Sequence, residues 1–422
     1  MIKREITNIQ ARQIFDSRGT PTIKCRVCLS DGSFSEASVP SGASTGKYEA
    51  HELRDDEKGY NGKGVLKAIY NINNDLANLL KGKNAEDICA LDDMMKKLDS
   101  TSNLSRIGGN AILAVSLACV KAVTNSYSIP LYKFIGGINA NKLPIPLMNI
   151  LNGGQHAGNN LDIQEFMILP VGANSFAQAM KIGTEVYSAL KKLLKENFQS
   201  TSVGDEGGFA PNLENDAKAL DYIVDAISIA GYAPGKDVFL ALDIASSDWY
   251  QEGKYHLSKS KRIFSSMELE EYLLTLCGNY PIISLEDPMA EDDFEGFINI
   301  TKNAGRVNIV GDDLFVTNPE RIKKGIEMKA ANSVLIKPNQ IGTFSDTLMA
   351  INIAKEANYQ TIISHRSGET EDTFIADLAV GVNSGFIKCG APARSERLCK
   401  YNRRLQIEDE LGKLGRYASK VI

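Results

Sequence analysis

Long apolar runs are missing from this chain of 422 residues. The most apolar helical stretch, GGNAILAVSLACVKAVTN, is interrupted by Ser116 and Lys121 and is too short to cross a hydrocarbon core of about 30 Å. The opening segment, MIKREITNIQ, has charges with no apolar stretch behind them, so no secretory signal is expected. An excess of positive charge is missing too. The 47 basic residues face 52 acidic ones, and a net charge of −5 gives no bulk electrostatic reason to bind nucleic acid or an anionic membrane. Any anion site must be a local concentration of donors. Cysteines number seven, an odd count that predicts reduced thiols and a cytoplasmic setting rather than a disulfide framework. Cys25 and Cys28 form a C-x-x-C, but within TIKCRVCLSDG, which reads as a strand. Residues three apart on a strand point to opposite faces, and no second pair completes a zinc site.

A nucleotide-binding P-loop is also absent. In VPSGASTGKYEAHELRD (39–55), Gly42 to Gly46 is one residue short of the required spacing, and Tyr48 stands where Ser or Thr is needed. The hydroxyls of Ser41, Ser44 and Thr45 fit a flexible lid instead, closing over a site built elsewhere.

What the chain does contain is two kinds of order. ITNIQARQIFDS, TPTIKCRVCLS and SFSEASVP alternate like strands and are parted by the turn signals SRG and SDG. Helical periodicity follows in VLKAIYNINNDLANLL, AEDICALDDMMKKL and NAILAVSLACVKAV. Strands followed by helices predict a small α+β domain, ending near GGINANKLPIP.

From residue 238 onward, short β-rich runs recur, and most finish on a polar group. They are VFLALD at Asp243, IISLE at Glu286, VNIVGD at Asp312, SVLIK at Lys337, TIISH at His365 and GFIK at Lys388. After a first interval of 43 residues the spacings are 26, 25, 28 and 23, with helix-like segments between. Repeated strand–helix units of this size predict a (β/α)-type barrel, whose site lies at the C-terminal ends of its strands.

Asp243, Glu286 and Asp312 are then three carboxylates on consecutive strand ends. Converging in one pocket they repel one another unless a cation sits between them, and an all-oxygen set suits Mg²⁺ first and Mn²⁺ second. Asp313 competes with Asp312, and strand geometry lets only one of them face the centre. Lys337 lies between Asp312 and His365. Beside metal cations its ammonium should be disfavoured, which makes it a competent general base. NGGQHAGNNLDIQEF, carrying His156, Gln164 and Glu165, and SVGDEGGFAPN, carrying Asp205 and Glu206, read as glycine-rich loops able to supply a proton donor. In IISHRSGETEDTF, the trio His365, Arg366 and Ser367 suits an anion, since arginine offers a fork of donors.

The stretches PSGASTG, QEFMI, GDEGG, EDP, GDDLFVTNP, KPNQIGT, SHRSGETEDTFIADLAVG and GAPARSER resemble the enolase family in residue type and order, over nearly the whole chain. The resemblance implies a smaller N-terminal α+β domain (1–137) carrying the lid and a TIM-like barrel (138–422) of ββαα(βα)6 form. It implies reversible dehydration of 2-phosphoglycerate to phosphoenolpyruvate, with two Mg²⁺ per site. Asp243, Glu286 and Asp312 would bind the first ion, and Ser44 would join a second that arrives with substrate. Lys337 would be the base and Glu206 the acid, supported by Glu165. Arg366 and Ser367 would hold the phosphate with His365 adjacent, while His156, Gln164 and Lys388 would contact the substrate. A homodimer or higher homo-oligomer would form through the N-terminal strands, with Arg12 meeting an acid near Glu408 and Asp409. Cys389, beside Lys388, would place an oxidation-sensitive thiol next to the site.

Overall fold

The computed structural model describes residues 4–42, 46–55 and 58–419. Three antiparallel strands open the chain: β1 (Ile6–Phe15), β2 (Pro21–Leu29) and β3 (Phe34–Ser38). Ile23, Cys25, Val27 and Leu29 alternate inward along β2, whereas Cys28 is only half-buried, so the two cysteines do face apart. The inward face packs against α2 (Gly109–Tyr127), which is buried along most of its length, with α1 (Ile88–Asp99) beside it. Leu66–Leu80 is helical throughout, with a wider π turn at Ile72–Leu76. Among the described residues no single helix is long and apolar enough to cross a membrane.

The remainder closes into an eight-stranded barrel. Its strands are β4 (Ile145–Asn152), β5 (Glu165–Leu169), β6 (Phe239–Asp243), β7 (Ile282–Glu286), β8 (Asn308–Gly311), β9 (Ser333–Ile336), β10 (Gln360–Ser364) and β11 (Phe386–Lys388). β4 and β5 form an antiparallel hairpin, β5 also runs antiparallel to β6, and every other neighbouring pair is parallel. Two helices, α3 (Phe176–Glu196) and α4 (Asp216–Ile229), follow the hairpin before β6, giving ββαα(βα)6. The long interval after Asp243 holds a small antiparallel meander, Tyr250–Gln251, Lys254–Leu257 and Arg262–Phe264, ahead of α5 (Ser266–Asn279). Glu165 and Phe166, the end of the segment expected to be loop, open strand β5. β4 and β5 are buried on both faces, so neither shows the alternation that marks a strand in sequence.

Candidate active site

The reversal of β5 brings its first residue, rather than its last, to the barrel mouth. Glu165 therefore pairs in register with Asp243, which in turn pairs with Glu286. Around the mouth the order is Glu165 on β5, Asp243 on β6, Glu286 on β7, Asp312 just past β8, Lys337 just past β9, His365 just past β10 and Lys388 at the end of β11. All seven side chains are drawn to one pocket of about 350 Å³ or to its floor.

Lys388 supplies the cation at the centre of that floor. Its Nζ lies 2.9 Å from Asp243 Oδ2, 2.9 Å from both oxygens of Glu286 and 3.1 Å from Glu165 Oε2. Burial and the neighbouring carboxylates push Glu286 and Glu165 well above the usual carboxylate range. Lys337 pairs with Asp312, whose other oxygen accepts from Gln340 Nε2 at 2.9 Å. Burial works against the ammonium of Lys337, but Asp312 more than offsets it, so the lysine is held above its usual value. This differs from the expected lowering, which presupposed cations at the carboxylates. Nine carboxylates line the pocket against four lysine or arginine side chains. An all-oxygen acidic set of this kind fits hard divalent cations; Asp243 and Asp312 are strand-end members of it, and Glu286, on the strand between them, lies at its floor against Lys388.

Asp312 and Asp313 both line the pocket, contrary to the expectation that only one would. The strand has ended at Gly311, so alternation no longer governs them. Their backbone N–H groups both donate to Asp287, at 2.9 and 2.7 Å. Burial and Asp312 push Asp313 up to about 8.

On the opposite wall, His156, Glu165 and Glu206 bring polar atoms within 4.8 Å of one another. Asn149 donates to Glu206 Oε2 at 3.1 Å, and Gln164 Nε2 reaches Asp243 Oδ2 at 3.5 Å. Two buried carboxylates this close do not both ionise readily. Of the two, Glu165 is the one raised, by burial and by Glu206. Burial also works against charge on Glu206, but the neighbouring His365 ring and the Arg397 guanidinium beyond it hold it low.

The anion corner is built from three segments. Arg366 presents its fork to Glu49, with Nη1 2.8 Å from Oε2 and Nη2 3.4 Å from Oε1, and Glu49 Oε1 also accepts the Gly46 N–H at 2.9 Å. Arg18 Nη1 reaches the Ser367 hydroxyl at 3.4 Å. Ser41, read as a lid hydroxyl, is buried and donates to Asp16 at 2.6 Å; Ser44 and Thr45 lie outside the described residues. Burial pushes His365 down to about 4, so its ring is neutral near pH 7. Cys389 is buried, and its thiol is pushed up to about 11, which argues against the expected oxidation sensitivity. Arg12 pairs with Glu36 at 3.1 Å, while Glu408 accepts the first N–H groups of α3, Phe176 at 2.6 Å and Ala177 at 2.8 Å.

A barrel whose strand ends carry three adjacent carboxylates, two buried lysines and an arginine-based anion corner defines a class of carboxylate-and-lysine barrel enzymes. Residues 6–135 match the family model for the enolase N-terminal domain, and residues 140–422 match that for the enolase C-terminal TIM barrel domain. The chain belongs to the enolase family. Membership implies a lyase acting on a small molecule with the help of metal ions.

Sequence reasoning missed Glu49, Asp287, Gln340 and Arg18. Asp287 follows directly on Glu286 in the motif EDP, which was its available signal. Glu49 and Arg18 sit in the lid foot and a turn, where an acid or a base is unremarkable in sequence.

Proposed function

We propose that the chain is a phosphopyruvate hydratase, dehydrating 2-phosphoglycerate reversibly to phosphoenolpyruvate with two Mg²⁺ per site. The opposition of β5 and β9 carries this reading, because they lie four strands apart in a ring of eight. Lys337 faces the substrate position from one side, and the Glu165–Glu206 pair from the other. A base and an acid on opposite sides suit removal of a proton from C2 and loss of hydroxide from C3.

In this scheme Lys337, as the free amine, takes the C2 proton. The hydroxide leaving C3 takes the proton shared by Glu206 and Glu165, and departs as water. Asp243, Glu286 and Asp312 would hold the first Mg²⁺, and Ser44 would join the second. When bound, these ions supply positive charge to the substrate carboxylate as it gains negative charge. Lys388 reinforces that charge from the floor. Arg366 and Ser367 clamp the phosphate with His365 beside them, and His156 and Gln164 fix the substrate from the hairpin loop. A division into domains at 137/138, self-association through the N-terminal strands and a cytoplasmic setting complete the proposal.

Absorbance at the enol product and isotope exchange test it together. Lys337→Ala should lose turnover and exchange of the C2 hydrogen with deuterated water. Glu206→Gln should lose turnover yet keep C2 exchange, because the carbanion still forms and is reprotonated by lysine. Exchange surviving in the lysine variant but vanishing in the glutamate variant would reverse the two roles.

A further inference from the structure

Arg397 lies in the first turn of the last long helix, α6 (Ser395–Leu411), and is fully buried. A cation in the first turn of a helix is opposed by the helix dipole, which favours negative charge there. Glu396, in the same turn, stands 3.6 Å from Arg397 Nε and offsets part of that cost. A buried, disfavoured guanidinium calls for a reason, and its contacts supply one. Nη1 donates to the carbonyl of Arg366 at 2.7 Å and meets Nδ1 of His365; Nη2 donates to the carbonyls of Ser367 and, at 3.1 Å, Asp205. One side chain thus joins the phosphate loop, the histidine ring and the loop that carries Glu206. Room for it exists because residue 390 is glycine: a Cβ there would lie 2.9 Å from Arg397 Cδ and 3.1 Å from His365 Cε1.

A guanidinium has donors and no acceptor. The Nδ1 it faces must therefore carry the lone pair, and the ring proton must sit on Nε2. That nitrogen stands 3.2 Å from Glu206 Oε2. We propose that Arg397 is a positioning residue, fixing His365 as the neutral Nε2–H tautomer and thereby setting that N–H beside the acid Glu206 while holding the backbone of the phosphate clamp. An imidazolium would set a second N–H against the guanidinium, so the same contact excludes the charged form. Burial, with this contact behind it, keeps a histidine beside a carboxylate neutral. The catalytic consequence rests on the reaction proposed above; the tautomer does not.

The chain has only four histidines, so long-range ¹H–¹⁵N correlation on histidine-labelled protein resolves each ring, with His365→Gln identifying the signal. In the wild-type protein at pH 7, His365 should show a protonated Nε2 and an unprotonated Nδ1. In Arg397→Met, Nδ1 should gain a proton in part or in full, and the ring should titrate at higher pH than in the wild type. Arg397→Lys retains a donor toward Nδ1 and should restore the Nε2–H form. Turnover in Arg397→Met should fall at least tenfold, with the acid limb of its pH profile moved upward. An Nδ1–H or doubly protonated His365 in the wild type would overturn the proposal with no variant needed, and so would an unchanged tautomer and titration in Arg397→Met. If the substrate assignment fails instead, the NMR pattern persists while no turnover of 2-phosphoglycerate is seen.

Discussion

Replacing Lys388 by methionine keeps the length of the side chain and removes the cation that, among the described residues, touches Asp243, Glu286 and Glu165 together. All four groups are buried, with Lys388 only 2 % exposed. Breaking a buried ion pair by deleting one partner costs roughly 3–5 kcal/mol, because uncompensated charge is left behind. At about 2.1 cal/mol/K of unfolding entropy per residue, a chain of 422 residues loses about 1 °C in Tm per kcal/mol. Lys388→Met should therefore melt roughly 3–6 °C below the wild type in EDTA. Proton uptake by Glu165 and Glu286, both already raised, sets the low end of that range. Divalent cations should then take over the lost charge. Mg²⁺ at a hundred times its Kd stabilises whichever protein binds it by about 2.7 kcal/mol, so the gap narrows only by the difference in affinity. The variant, freed of the competing lysine, should bind the ion more tightly and melt closer to the wild type in Mg²⁺ than in EDTA. Paired thermal scans of both proteins, with EDTA and with Mg²⁺, measure both effects. A variant as stable as the wild type in EDTA would show that Lys388 is not the counter-ion of the floor. A gap that Mg²⁺ leaves untouched would show that metal and lysine do not share those carboxylates.

Chelation should abolish turnover and Mg²⁺ restore it, and Asp243→Ala should weaken Mg²⁺ binding in calorimetry; full turnover in excess EDTA after removal of bound metal would refute the metal assignment. Arg366→Ala should weaken phosphoenolpyruvate binding at least tenfold, since truncating a buried charge-assisted contact costs roughly 2–5 kcal/mol; wild-type affinity would mean that the phosphate sits elsewhere. Asp216 accepts the N–H groups of Asp162 and Ile163, at 3.0 and 3.3 Å, and burial and Asp162 push it up to about 6 from 3.8. A raised carboxyl favours the fold at low pH, and that benefit is lost as pH climbs between those values, leaving a cost of up to about 3 kcal/mol above them. Asp216→Asn should accordingly raise Tm at pH 7 and lose the advantage below pH 4; equal gains at both pH values would show that charge on Asp216 is not the cause.

The strand ends were legible because each closes a short apolar run with a residue that has no business in a core: Asp243, Glu286, Asp312, Lys337, His365 and Lys388. Their regular spacing exposed the repeat. β4 and β5 were hidden, since a strand buried on both sides carries no alternation and the glycines around His156 look like loop. The last helix concealed its role differently. In SERLCKYNRRLQIEDE the charges suggest a solvated surface, yet Arg397, Lys400 and Arg404 are all buried. Their spacing of three and then four residues puts them on one stripe, which was the available signal. Lys400 reaches Glu369 at 2.7 Å, and Arg404 lies over the rings of Phe176 and Tyr401, 4.4 and 4.8 Å from their centroids. Glu49 was illegible for another reason: only the folded chain brings it to Arg366, 317 positions away.

The reversed strand also settles which connections face the chemistry, by simple parity of crossings. β4 carries the chain up to the mouth, β5 back down, α3 up and α4 down, before β6 climbs again. The β4–β5 and α3–α4 connections therefore emerge on the same side, and Phe209 bonds the backbone of Ile150 and Asn152 there, at 2.9 and 2.8 Å. The segments 170–175 and 230–238 emerge at the far end, where Gly172 N–H meets the carbonyl of Asp237 at 2.9 Å. Peptide tags or fluorophores grafted into 230–238 would leave the mouth untouched. A single deleted crossing would send Glu206 to the wrong end of the barrel.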